Sequence, residues 1–148
     1  MNSSFQAQVI LPGAAAGQLL VLSEALSFWG GVDPRSGDII DERHPQRGRN
    51  VAGRILALPK GRGSSSASSI LLEACRRGTA PAAILTRELD GILALGAVVA
   101  RELYDVRLPM FTLNATHYRQ LRDGRWLRIR DDGWIVMSDG CGPAVTKG

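Results

Sequence analysis

The chain has 148 residues, 45% of them hydrophobic and 22% charged. That is the composition of one soluble globular domain, long enough to bury about two thirds of its unfolded surface without a staple. No apolar run approaches the roughly 20 residues of a membrane-spanning helix, and the amino terminus lacks a secretory signal's basic start and long apolar core, so a cytoplasmic location is expected.

The net charge of +4 comes from arginine, since Lys60 and Lys147 are the only lysines. The positive residues are dispersed and carry no interleaved aromatics, which argues against a nucleic-acid surface. An anionic small substrate or an acidic partner surface fits equally well. Cys75 and Cys141 allow one disulfide at most and show no CxxC spacing for zinc or an iron–sulfur cluster. With His44 and His117 the only histidines, the chain is expected to hold no metal of its own.

In chain order, Phe5 to Ile10 and Leu19 to Leu22 predict a short β pair around the turn-forming stretch from Pro12 to Gly17. Ser27 to Gly53 is punctuated by glycine and proline every few residues, and a loop of that length inside a compact domain is usually functional or disordered. Phe28, Trp29, Val32, Ile39 and Ile40 supply apolar anchors, which favours order. Val51 to Pro59 reads as a buried strand and Lys60 to Ser66 as a turn. Ser65 to Arg77 reads as a helix, because Ile70, Leu71, Ala74 and Cys75 share one face of a 3.6 period and Gly78 follows.

Ala82 to Leu85 is a second buried strand. A second helical stripe runs through Leu89, Ile92, Leu93, Gly96, Val99, Ala100 and Leu103, starting after Thr86 or Arg87. Met110 to Leu113 is another strand, and Asp123–Gly124 and Asp132–Gly133 predict hairpin turns in a closing meander. The fold class is α/β, with a mixed sheet, two main helices and a C-terminal β-hairpin meander, all in a single domain over 1–148.

Two segments carry the chemistry. Pro59-Lys60-Gly61-Arg62-Gly63-Ser64-Ser65-Ser66 joins a buried strand to the start of a helix. The first N–H groups of a helix lack internal partners and sit at the positive end of its dipole, so they favour anions. A serine there can cap the helix, bind an anion, or act as an alkoxide stabilised by those groups and Arg62. The segment is neither a GxxxxGK[ST] phosphate loop nor a GxSxG elbow. The second segment, Ser27-Phe28-Trp29-Gly30-Gly31-Val32-Asp33-Pro34, is either a structural turn or a concave backbone surface that faces an anion. Of the remaining candidates, His44 reads as part of a solvated turn, His117 as surface, Cys75 as core and Cys141 as an exposed tail residue.

These segments together resemble the small subunit, or swivelling domain, of the aconitase X family. The resemblance rests on Leu26 to Pro34, Gly37 to Asp41 with His44–Pro45, Val51 to Gly53, Gly61 to Ser65, and Ala80 to Ile84, in family order. It covers about residues 9 to 112, and the tail from about residue 114 matches less well.

The resemblance implies a swivelling β/β/α domain that closes over a larger catalytic subunit, which holds an iron–sulfur cluster. It also implies a hydro-lyase that removes water from a β-hydroxy acid. Ser64 matches the family's proton acceptor, and Arg62 would stabilise the alkoxide or the substrate carboxylate. Gly30, Gly31, Val32, Asp33, Gly63, Ser65 and Ser66 would contact the substrate, and iron in the partner would act on the leaving hydroxyl. Two substrates are associated with the family, cis-3-hydroxy-L-proline and (R)-5-phosphomevalonate. The arginine-rich, lysine-poor composition suits a mesophilic bacterium and leans to the first. A separate small chain is the arrangement of the phosphomevalonate enzymes and pulls toward the second.

Two other readings stand beside these. One is a non-catalytic binding or regulatory module that keeps the fold, and the other is a self-sufficient hydrolase, for which no base is marked near Ser64. The tail is also similar to swivelling phosphohistidine domains, but Ala80 to Ile84 contains no histidine for that chemistry.

Overall fold

The structure, a computed structural model, describes residues 2–60 and 66–138. Strands β1 (Ser3–Gln6), β2 (Gln8–Leu11), β3 (Ala15–Val21) and β4 (Ile55–Leu58) precede helix α1 (Ser66–Arg77). Then follow β5 (Ala83–Thr86), α2 (Gly91–Tyr104), β6 (Met110–Thr112), α3 (Ala115–Gln120), β7 (Trp126–Ile129) and β8 (Trp134–Met137). β4 and β5 are buried at every position, as central parallel strands covered on both faces must be. Their residues alternate between two cores. Ile55, Ala57, Ala83 and Leu85 face one core, while Leu56, Leu58 and Ile84 face the other, beneath α1 and α2.

All eight strands form one sheet, ordered β1-β8-β7-β3-β4-β5-β6-β2. β3 to β6 are mutually parallel neighbours, and the remaining pairings are antiparallel. The two edge strands β1 and β2 are consecutive in the chain and separated only by Ala7, so the sheet curls until it is nearly a barrel. This corrects one sequence expectation. Phe5 to Ile10 does not pair with Leu19 to Leu22; it splits at Ala7, one half joining β8 and the other β6.

Of the two predicted tail hairpins, Asp132–Gly133 does join β7 to β8, whereas Asp123–Gly124 connects α3 to β7. Val51 to Arg54 is a turn before β4 rather than its first half. The short α3, capped by the Asn114 side chain on the His117 N–H at 2.8 Å, was not foreseen.

α1 buries Ala67, Leu71, Ala74 and Cys75. α2 begins at the cap Asp90 and buries Leu93, Gly96, Ala97 and Ala100. The predicted stripe began too early, since Leu89 lies before the helix and is 63% exposed. The helices cross closely at Gly96, where a Cβ would lie 2.8 Å from the Ser68 carbonyl oxygen. Among the described residues no helix is long and apolar enough to cross a membrane.

Candidate active site

In α/β sheets, ligands bind outside the carboxyl ends of the parallel strands. At those ends of β4 and β5 a cleft of about 350 Å³ opens. Leu26 and Phe28 line it from the loop after β3, Lys60 from the end of β4, Ala67 from the first turn of α1, and Glu88 to Leu93 from the path between β5 and α2. The floor is apolar, and the charged groups on it are Lys60, Glu88 and Asp90.

Local hydrogen bonds set this geometry. β4 and β5 pair Leu58 with Thr86, and the Arg87 N–H extends the ladder to the Pro59 carbonyl at 3.2 Å. The buried Thr86 hydroxyl donates to the Glu88 carbonyl at 2.6 Å and fixes the exit from β5. Asp90 Oδ1 accepts the Ile92 and Leu93 N–H groups, both at 3.0 Å, a cap worth about 1 kcal/mol. The first turns of both α1 and α2 border the cleft, so the positive ends of two helix dipoles meet there and favour an anion.

The loop from Leu22 to Arg54 is ordered by its own contacts. Val32 bridges Ile39, and Asp38 bridges Asn50. The Asn50 amide donates to the Ser36 carbonyl and to Asp38, each at 2.8 Å. Of the five predicted anchors, Phe28, Val32 and Ile39 are buried, while Trp29 and Ile40 are exposed.

Gly31 is required here, because a Cβ would lie 2.0 Å from the Ser27 carbonyl oxygen. The N–H groups of Gly31 and Val32 turn back on the Phe28 carbonyl at 3.4 and 3.2 Å. Val32 packs in the core. The Asp33 carboxylate accepts the Arg35 N–H at 2.9 Å and pairs with the Arg35 guanidinium at 3.3 Å. These bonds, the backbone one first, hold its pKa below the usual carboxylate value. Next to it, the Pro34 carbonyl accepts the Thr79 hydroxyl at 2.6 Å, beyond the carboxyl end of α1. Of the Ser27–Pro34 motif, Phe28 is the residue brought to the cleft wall, and the predicted substrate contacts Gly30, Gly31, Val32 and Asp33 do not line it.

Arg62, Gly63, Ser64 and Ser65 lie outside the described residues. They fall between Lys60 and Ala67, two residues that line the cleft, and Ser66 opens α1. His44 is not part of a solvated turn. It is buried, its Nδ1 accepts the Gln46 N–H at 3.0 Å and its Nε2 lies 3.3 Å from the Glu24 carbonyl, so it pins the loop. His117 is half-buried and stacks on Phe5 with ring centroids 5.2 Å apart. Cys75 is a core residue whose thiol burial pushes up to about 11, and Cys141 lies outside the described residues.

No group of three metal-ligating side chains occurs among the described residues. Cys75 stays protonated at neutral pH and is a poor thiolate ligand. The described residues therefore do not fit an iron–sulfur cluster.

Sequence reasoning missed Glu88 and Asp90. The available signal was a second passage from a buried strand to a helical stripe, Thr86-Arg87-Glu88-Leu89-Asp90-Gly91.

A mixed sheet curled over one core, with two helices on its outer face and a cleft at the parallel strand ends, defines an α/β domain with a strand-end cleft. The chain belongs to the aconitase X swivel-domain family, whose model matches residues 4–137. It is 51% identical, over 84% of its length, to the cis-3-hydroxy-L-proline dehydratase of Pseudomonas aeruginosa, and spans 21% of that relative. It is 43% identical, over 63% of its length, to the phosphomevalonate dehydratase small subunit of Methanothermobacter thermautotrophicus, covering 71% of that chain. Among solved structures it is similar to Thermococcus kodakaraensis aconitase X in its holo form. There the TM-score is 0.82 with 31% identity, covering 93% of this chain and 99% of that one.

Proposed function

We propose that this chain is the swivelling small subunit of an aconitase X-type hydro-lyase that dehydrates cis-3-hydroxy-L-proline, working in the cytoplasm with a larger subunit. The observation that carries this reading is the 51% identity to the Pseudomonas aeruginosa dehydratase. A second reading, the small subunit of an (R)-5-phosphomevalonate dehydratase, draws on the 43% identity to the Methanothermobacter chain. Because the described residues do not fit an iron–sulfur cluster, the cluster of the family is assigned to the larger subunit.

Elimination removes a proton from the carbon α to the carboxylate. The C–H electron pair becomes the new C=C bond, and the β-hydroxyl leaves, as water once protonated. An ordinary serine hydroxyl is too weak a base for that proton. Ser64, two residues before α1, is assigned as the proton acceptor, its alkoxide stabilised by Arg62 and by N–H groups at the helix start, with Gly63, Ser65 and Ser66 around it. Gly30 and Gly31 shape the turn that presents Phe28, and Val32 and Asp33 anchor it, enclosing the substrate from the loop side.

The test is to combine the chain with its larger subunit, reconstitute anaerobically with iron and sulfide, and offer both substrates. Consumption of cis-3-hydroxy-L-proline is expected. Consumption of 5-phosphomevalonate instead would establish the second reading. A complex that forms and leaves both untouched would mean either that the substrate is a third hydroxy acid or that the fold is retained for binding alone.

A further inference from the structure

Lys60 and Glu88 occupy matching positions just past the ends of the neighbouring strands β4 and β5. The last β4–β5 pair is Leu58 with Thr86, and the Arg87 N–H bond to Pro59 carries the register one step further. Each of the two charged residues therefore stands two positions past a paired residue. Side chains two apart on a strand share a face, and Leu58 faces the core beneath α1 and α2. Both residues line the cleft on that side. Arg87, between Thr86 and Glu88, takes the opposite side and lines a separate polar cleft with Gln6 and Gln8.

Adjacent strands are about 4.8 Å apart, close enough for a lysine and a glutamate to pair directly. Yet among the described residues neither forms an ion pair. Asp90, the other carboxylate in the cleft, is engaged through Oδ1 in capping α2. One ammonium and one carboxylate thus line the cleft without an ion pair among the described residues, beside its apolar side chains.

We infer that Lys60 and Glu88 read the two charges of a zwitterionic cyclic hydroxy amino acid. The Lys60 ammonium takes its carboxylate and the Glu88 carboxylate takes its ring ammonium, with the ring methylenes against the exposed Leu89 and the part-buried Ile92. This rests on the dehydratase reading and gives its cleft a substrate class. A phosphorylated hydroxy acid has no cation for Glu88 and brings further negative charge against it.

The test uses the assembled complex with wild type, Glu88→Gln and Lys60→Met. It compares KM and kcat for cis-3-hydroxy-L-proline with the inhibition constant of cis-2-hydroxycyclopentane-1-carboxylate, which lacks the ring nitrogen. Glu88→Gln is expected to raise KM about tenfold or more, with kcat nearly unchanged and the analogue bound as before. Lys60→Met should weaken both ligands about tenfold. Unchanged binding of the analogue shows that the Glu88→Gln site is folded. An unchanged KM, or equal weakening of both ligands by Glu88→Gln, would overturn the inference while leaving the dehydratase reading intact. If the wild-type complex does not turn the substrate over, that reading fails. Calorimetric binding of cis-3-hydroxy-L-proline to wild type and Glu88→Gln then decides, with no binding or equal binding counting against the inference.

Discussion

Gly96→Ala probes the helix crossing that positions the first turn of α1 beside the cleft. The new Cβ would lie 2.8 Å from the Ser68 carbonyl oxygen and 3.2 Å from the Ser68 Cα, against about 3.4 Å for an ordinary contact. The helices must part by the difference, about 0.6 Å, and the atoms in the way are backbone. Overpacking of this kind costs about 1–3 kcal/mol, while alanine in place of glycine inside a helix returns about 1 kcal/mol. The net is a destabilisation of about 1 kcal/mol, or a fall in Tm of roughly 2–4 °C for a chain of this size. Thermal unfolding followed by circular dichroism measures it, with Gly91→Ala as the comparison, since a Cβ there meets nothing within 4 Å. Gly91→Ala should melt at or above wild type. If Gly96→Ala also melts at or above wild type, the close crossing does not constrain α1.

Asp90→Ala removes the α2 cap and should cost about 1–2 kcal/mol in denaturant unfolding, whereas Asp90→Asn, which can still accept both N–H groups, should stay within a few tenths; equal losses would mean that the cap is not the cause. The Glu73 carboxyl is held down, from 4.5 to about 2, by hydrogen bonds from Arg76 first and then Arg77. Its contribution is therefore complete above about pH 4.5 and lost as pH falls toward 2. Urea titrations should show wild type and Glu73→Gln converging near pH 2 and separating above pH 4.5, by a small amount because the groups are exposed. In a Cys141→Ser background, Cys75 should resist a thiol-specific disulfide reagent at pH 8 and react at once in denaturant. Fast labelling of the folded chain would contradict its core position.

Much of this fold is legible wherever the signal is local. The runs Ile55 to Leu58 and Ala83 to Leu85, the α1 stripe and the Asp132–Gly133 turn all depend on neighbours in sequence. Strand pairing does not. Nothing local says that Ala7 divides one extended segment between opposite edges of a sheet, because the partners lie in β6 and β8. α3 has six residues, none of them buried, and so carries no stripe; Asn114 was its one signal.

The cleft divides in the same way. Lys60 opens a motif recognisable in the sequence, whereas Glu88 matters only once β4 and β5 pair and bring it level with Lys60. The buried His44 ring meets the carbonyl of Glu24, 20 residues earlier, a contact that local polarity does not show.

The proposed role of Ser64 as acceptor of the α proton is tested by Ser64→Ala in the reconstituted complex. The readout is turnover of cis-3-hydroxy-L-proline, together with exchange of its α hydrogen with solvent deuterium. The expected complex assembles and melts like wild type yet loses both turnover and exchange. Turnover at the wild-type rate would contradict it and place the base on another residue.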